Sequence, residues 1–456
     1  MTSKTFAASR LWTILLTMIF TVSTALPVSA QSLLRDTEIE ETLRAYTDPI
    51  LRAASLDANS VDLYLVNDKS LNAFVTRGQN IFIHSGLILQ AKTPNQLKGV
   101  IAHETGHIAG GHLARRDYGN RSAYGAMLIA AGVGIAAILA GEGEAGAAIL
   151  LGSQQFGALE ALAYSRVNEA SADQAAAKYM NITGQSSRGL VQFFEKFRYQ
   201  EVLSNGRRFP YFRSHPLSNE RIDKLREITE ESQYVEVLDT EEEIKSFAMM
   251  QAKLIGFLDA PQTVFSKFPE SDQSQPARYA RAIAYYQAAD LKSALRSIDS
   301  LIAEEPQNPY FYELKGQMLY ESGKGALAIA PLEKAVSLKP QAPLLKIALG
   351  QALIEQETVE QTQKSIKLFK SALQNETSNG TAWYNLSRAY EFINEPALAR
   401  YATAEQAFAM GDYNRALSFA QRALDGLSSF PAQWRRASDI IAISNIQLAK
   451  RNKRNR

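Results

Sequence analysis

The chain of 456 residues contains no cysteine. That single absence excludes a disulfide framework, a thiolate metal site and a thiol nucleophile. Histidine is scarce too, at five residues. No surplus of positive charge marks a nucleic-acid surface. Setting aside Lys4 and Arg10 of the first thirty residues leaves 49 minus 2, or 47, basic side chains against 47 acidic ones. Five of those bases fall in the terminal "KRNKRNR", so the remainder stands at 42 minus 47, or −5. Such an end reads as a solvated basic tail (451–456), with weak attraction to an anionic membrane surface as the sharper reading. No nucleic-acid partner is expected.

Long hydrophobic runs are missing as well. "LWTILLTMIFTV" (11–22) is too short to span a bilayer comfortably and follows a basic, acid-free start. Val28 and Ala30 then place small residues where a signal peptidase reads. Residues 1–30 are therefore expected to be a signal peptide cut after Ala30, with export to the periplasm; an uncleaved N-terminal anchor is the alternative. The stretch 124–163 is almost uncharged, and its first run, Gly125 to Gly141, is rich in Gly and Ala. It is expected to form a buried helical hairpin, with reversible membrane contact as the alternative.

What is present divides into two halves. "VDLYLVN" (61–67) and "NIFIHSG" (80–86) are β-prone runs flanking "LNAFVTRG", which suggests a small antiparallel sheet. The sheet preceding the motif helix, particularly "NIFIHSG", could take an unfolded substrate as an added strand. Thr93 and Gln96 form a capping box around Pro94 and start a helix. The charged stretch 232–259 reads as a connector. From 260 to 450 a period appears: Ala294 and Ala328, Pro306 and Pro340, and Gly316 and Gly350 are each 34 apart. That is the tetratricopeptide spacing, interrupted by about three extra residues near "EQETVEQTQKS", and it predicts an all-α solenoid with a concave groove. An irregular helical bundle is the plain alternative.

Three of the five histidines lie within "HETGHIAGGH" (103–112). On a helix, His103 and His107 project from one face one turn apart, where two imidazoles can bind one zinc ion. Glu104 lies about 100° around the axis, placed to act on a water at the same metal. His112 falls on another face and reads as a supporting histidine. No histidine completes His-x-x-Gly-x-x-His, so a carboxylate from a second helix is the natural third ligand. In "AYSRVNEASADQAAAKYM" (163–180), Arg166, Glu169 and Asp173 share one stripe. Glu169 as ligand with Arg166 and Asp173 orienting the site is one reading; a solvated ion pair is the other, and periodicity alone leaves both open.

"HETGHIAGGH", "YSRVNEASAD" (164–173) and "RSHPLSNERI" (213–222), in that order, resemble the HtpX and CAAX-prenyl-endopeptidase type of zinc peptidases, the gluzincins. The likeness runs from about residue 35 to the end and is strongest over 75–225. It implies an α+β zincin-like peptidase domain (31–231), mostly helical with a small sheet, followed by a tetratricopeptide-repeat solenoid (260–450). It implies zinc held by His103, His107 and Glu169, with Glu104 as catalytic base and Asp173 supporting catalysis as a proton donor. His215 matches a loop histidine able to occupy the fourth zinc position, which would make the resting enzyme self-inhibited. For the exported, repeat-bearing branch, the resemblance implies an endopeptidase acting on unfolded or misassembled outer-membrane proteins. Its repeats would dock to the outer-membrane assembly machinery. A chaperone or scaffold with a usually closed zinc site is the rival function.

Overall fold

The computed structural model describes residues 33–76, 78–112, 165–203, 211 and 215–454. The expected signal peptide and the stretch 124–163 lie outside these residues. No described helix is long and apolar enough to cross a membrane.

The first half packs helices against one small sheet. Strand β1 (Leu33–Leu34) leads into α1 (Thr37–Ala53), capped by Asp36, whose side chain accepts from the Ile39 N–H. β2 (Asp62–Val66), β3 (Ala73–Thr76) and β4 (Asn80–His84) follow, then the short α2 (Ser85–Gln90). The sheet order is β1-β2-β4-β3. β4 runs parallel to β2 and antiparallel to β3, so the sheet is mixed and the antiparallel expectation is corrected. β2 and β4 are joined through β3 and its preceding loop, a crossover long enough to return the chain in the same direction. The order also corrects the added-strand expectation. β4 is paired on both sides, and its Ile81 and Ile83 are fully buried, so "NIFIHSG" offers no edge; among the described strands the sheet's edges are β1 and β3.

α3 (Pro94–Ala109) starts as its residues dictate. Pro94 opens the first turn and the Thr93 hydroxyl accepts from the Gln96 N–H at 3.3 Å. The Gln96 side chain reaches back to the Lys92 N–H, one residue earlier than a capping box would have it. Leu97, Val100, Ile101 and Ala102 are buried in the core with Ile81, Phe193 and Phe194. α4 (165–182), α5 (Arg188–Leu203) and α6 (Asn219–Glu230) surround α3.

α7 (Glu241–Leu258) occupies the stretch that reads as a connector. Its acidic residues are confined to the first turn, where Thr240 and Glu243 complete a capping box. Beyond that turn it is apolar on two faces. Phe247, Met250 and Leu254 join the peptidase-side core, while Met249, Ala252 and Ile255 pack on the helices that follow. α8 (Pro261–Lys267) leads into five antiparallel pairs: α9 (Gln275–Gln287) with α10 (Leu291–Glu304), α11 (Pro309–Glu321) with α12 (Gly325–Leu338), α13 (Pro343–Ile354) with α14 (Val359–Asn375), α15 (Gly380–Phe392) with α16 (Pro396–Ala409), and α17 (Tyr413–Leu424) with α18 (Pro431–Arg454). The pairs begin at 275, 309 and 343, then 380, which locates the three extra residues in the α13–α14 unit. Gly316 and Gly350 stand where partner helices touch: a Cβ would lie 2.4 Å from Leu332 and 2.5 Å from Phe369. α18 continues to Arg454, through most of the expected tail, since Lys and Arg are good helix formers and favour a helix C-terminus.

The repeats curl back onto the first half. Arg35 pairs with Glu376 at 2.7 Å, Tyr310 donates to Glu41 at 2.5 Å, and Tyr279 donates to Glu38 at 2.8 Å. The buried ammonium of Lys253 lies 2.6 Å from Asp36, 3.2 Å from Glu38 and 3.8 Å from Glu313.

Candidate metal centre

α3 brings His103 and His107 to one face, with their Nε2 atoms 3.1 Å apart. α4 crosses them closely because residue 106 is glycine. A Cβ there would lie 2.9 Å from the Ala172 carbonyl oxygen and 3.2 Å from the Ala175 Cβ. This approach delivers Glu169, whose Oε2 is 3.4 Å from His103 Nε2 and whose Oε1 is 3.4 Å from His107 Nε2. His215 comes from the turn before α6, with Nδ1 3.3 Å from His103 Nε2 and 3.1 Å from Glu169 Oε2. All four side chains are buried, and one ligand atom from each falls within 4.8 Å of the others.

The arrangement fits a zinc ion on two grounds. The edge of a tetrahedron with ~2.05 Å zinc–donor bonds is ~3.3 Å; five contacts among these groups, with Glu169 turning Oε1 to His107 and Oε2 to the other two, measure 3.1 to 3.4 Å, and the set as a whole falls within 4.8 Å. Charge agrees. Among the described residues, the carboxylates of Glu104, Glu169 and Asp173 are buried beside one guanidinium, Arg221, an acidic surplus that a cation at the histidine cluster would offset.

Behind these groups lies a supporting layer. Asp173 Oδ1 is 2.9 Å from His103 Nδ1, on the side of the ring away from the cluster, where a carboxylate can orient the imidazole. Asp173 is gripped from the other side by Arg221, at 2.7 and 2.9 Å. His112 Nδ1 lies 3.0 Å from His107 Nδ1, away from the cluster. The Glu104 carboxylate is wholly buried and makes no hydrogen bond among the described residues; His215 Nε2 lies 3.5 Å from it. Tyr211 stacks on the His215 ring at 4.6 Å, and its N–H donates to the Leu71 carbonyl just before β3.

The electrostatics favour a positive charge at the centre. Burial opposes a charged His103, but the Asp173 and Glu169 carboxylates outweigh it and push its pKa up to about 10. Burial would raise Glu169, yet His103, His107 and His215 hold it well below the usual carboxylate range. Asp173 is likewise held low against burial by His103 and Arg221. Burial pushes His107 down.

Of the residues expected at the site, His103, Glu104, His107, Glu169, Asp173 and His215 come together. Arg166 does not: it is exposed to solvent, although it lies on the same stripe. The orienting guanidinium is Arg221, 48 residues beyond Asp173 in sequence. It stands inside "RSHPLSNERI", the only signal that could have singled it out. Tyr211 carries no motif at all.

A pair of histidines on a core helix that could hold a metal ion, a carboxylate from the next helix and a trailing helical solenoid are the layout of a metallopeptidase joined to a repeat domain. Residues 33–229 match the model of peptidase family M48, and residues 279–343 match a tetratricopeptide repeat. The chain therefore carries an M48 peptidase domain followed by tetratricopeptide repeats. It is homologous to the beta-barrel assembly-enhancing protease of Escherichia coli, 24% identical over 372 residues, 79% of this chain and 74% of the relative. The Yersinia pestis protein of that name is 24% identical over 69% of this chain and 65% of its own. Metalloprotease LoiP of Escherichia coli is 33% identical over 38% of this chain and 64% of its own.

Proposed function

We propose that the chain is an exported zinc endopeptidase of the periplasm. It degrades misassembled outer-membrane proteins and assists their assembly, and its activity is restrained by His215. His103, His107 and Glu169 would hold the ion, with His215 at the fourth position. When bound, zinc polarises a peptide carbonyl and makes an attacking water more acidic. Glu104, buried and without a hydrogen bond, is the group available to take the proton from that water and pass it to the leaving amine. Asp173 has both oxygens engaged by Arg221 and lies 2.9 Å from His103 Nδ1, so we read it as orienting His103 and not as a proton donor. An extended substrate would add to the free side of β3, which packs against α3.

The observation that carries this reading is the convergence of His103, His107, Glu169 and His215, all buried and with ligand atoms within 4.8 Å of one another, beside the Arg221–Asp173 pair. The homology to a protease named for β-barrel assembly supports the substrate class, and the repeats support docking to assembly machinery. His215 beside all of the other ligands supports the second reading, a scaffold acting through its repeats with the zinc site closed. The test is metal analysis of purified protein with casein degradation by wild type and Glu104→Gln. About one zinc per chain and activity abolished in the variant is the expected result. Casein cleavage that survives the substitution would overturn the enzyme reading.

A further inference from the structure

Arg221 is fully engaged, and its partners come from three different parts of the site. Nε and one terminal nitrogen form the two-pronged pair with Asp173. The other terminal nitrogen donates to the Pro216 carbonyl at 2.5 Å and lies 3.3 Å from Glu169 Oε2. The guanidinium also sits over the Phe194 ring, 5.5 Å from its centre. Pro216 directly follows His215, so the bond to its carbonyl fixes the turn that carries that histidine. Asp173 fixes His103, and Glu169 faces both His103 and His107.

We propose that Arg221 is a positioning residue that locks the His215 turn and the Glu169–Asp173 helix into one unit. Withdrawing His215 from the centre and disturbing the ligand geometry then become a single linked event. This inference rests on the metallopeptidase reading.

The physical reason is the shape of the group. A guanidinium offers five donors in a rigid plane, enough to hold a carboxylate at two points and a carbonyl at a third. Lysine carries the same charge on a point donor and cannot span both partners. Pure charge compensation would therefore survive Arg221→Lys, whereas a geometric lock would not. Arg221 is 6% exposed, so water cannot substitute for the missing contacts at low cost.

The experiment compares zinc affinity, by competition with a chromogenic chelator, in the full chain and in Arg221→Lys, Asp173→Asn and the double variant. Helical signal and thermal midpoint are recorded on each metal-free protein. Arg221→Lys should lose zinc affinity about tenfold to a hundredfold while the metal-free chain stays folded, as losses of ligand-orienting partners do. Because both substitutions cut one link, the double variant should lose less than the product of the two single losses. In the His215→Ala background the effect of Arg221→Lys should shrink, since one of its two tasks is gone. Should Arg221→Lys fail to fold, Arg221→Gln, whose shorter side chain cannot grip Asp173 at two points and also reach the Pro216 carbonyl, carries the test. Wild-type affinity in either folded single variant, or strictly multiplicative losses, would reduce Arg221 to a structural ion pair. Failure of the wild-type chain itself to bind zinc would instead overturn the functional reading.

Discussion

Gly106 lies directly beneath the backbone of Ala172, so close that a Cβ on residue 106 would sit 2.9 Å from the Ala172 carbonyl oxygen. The contact sets how near α4 comes to α3, and hence how near Glu169 comes to the two histidines. Gly106→Ala should push α4 outward. The expected loss is about 1–3 kcal/mol of stability from overpacking, with zinc affinity falling at the same time. Thermal unfolding of the metal-free chain and chelator competition read the two effects; a variant as stable and as tightly metal-binding as wild type would show that α4 is positioned by something else.

Glu169→Gln keeps the size of the side chain and removes its charge. Zinc content should drop from about one equivalent to a small fraction of it, with helical content unchanged, because ligand loss lowers affinity at least as much as the 10- to 100-fold seen for outer partners. Full zinc occupancy in a folded variant would sink the ligand assignment.

His215→Ala removes a tethered imidazole from the fourth position and should raise casein cleavage and self-cleavage. His215→Ala/Glu104→Gln is the inactive control. Activity equal to or below wild type, with zinc still bound, would make His215 a group that positions substrate.

Glu313 provides a pH-dependent contact between the two halves. Burial pushes its carboxyl up to about 7; Lys253 opposes this, while Asp36 and Glu38 add to it, and the Thr37 hydroxyl donates to it at 3.3 Å. The folded pKa is raised above the unfolded one, so the stabilisation is fully present below about 4.5 and is lost as pH rises through about 7. The thermal midpoint should therefore fall between about pH 5 and pH 7, and Glu313→Gln should flatten that dependence. An identical slope in the variant would place the titrating group elsewhere.

A chain ending at residue 235 should not behave as an intact peptidase domain. It lacks Asp239 and Glu243, which hold the buried Lys98 at 2.9 and 2.7 Å, and the α7 side chains Phe247, Met250 and Leu254. Stranding a buried lysine costs about 3–5 kcal/mol. A chain ending at 260 should retain more zinc and a higher midpoint than one ending at 235. Equal behaviour of the two would remove α7 from the peptidase core.

What could be read from the sequence was whatever local chemistry decides. His103 and His107 share a face because any helix places residues four apart together, and Thr93–Pro94 starts that helix by satisfying its own first turn. The 34-residue recurrence of Gly316 and Gly350 marks helix contacts because each unit packs only on its neighbours. Family resemblance added Glu169 and His215, which periodicity could not choose.

Tertiary structure decided the rest. A helical stripe says which residues share a face, not how much of that face a neighbour covers. Arg166 thus lies on the stripe of Glu169 and Asp173 yet ends in solvent, while Arg221 reaches the same carboxylates from another helix. Strand order is equally non-local: the alternation in "NIFIHSG" is the same for a central strand as for an edge, and only pairing with both β2 and β3 made it central. The acids at the start of α7 mask a helix whose two apolar faces acquire meaning only once the peptidase core and the repeats stand on either side of it.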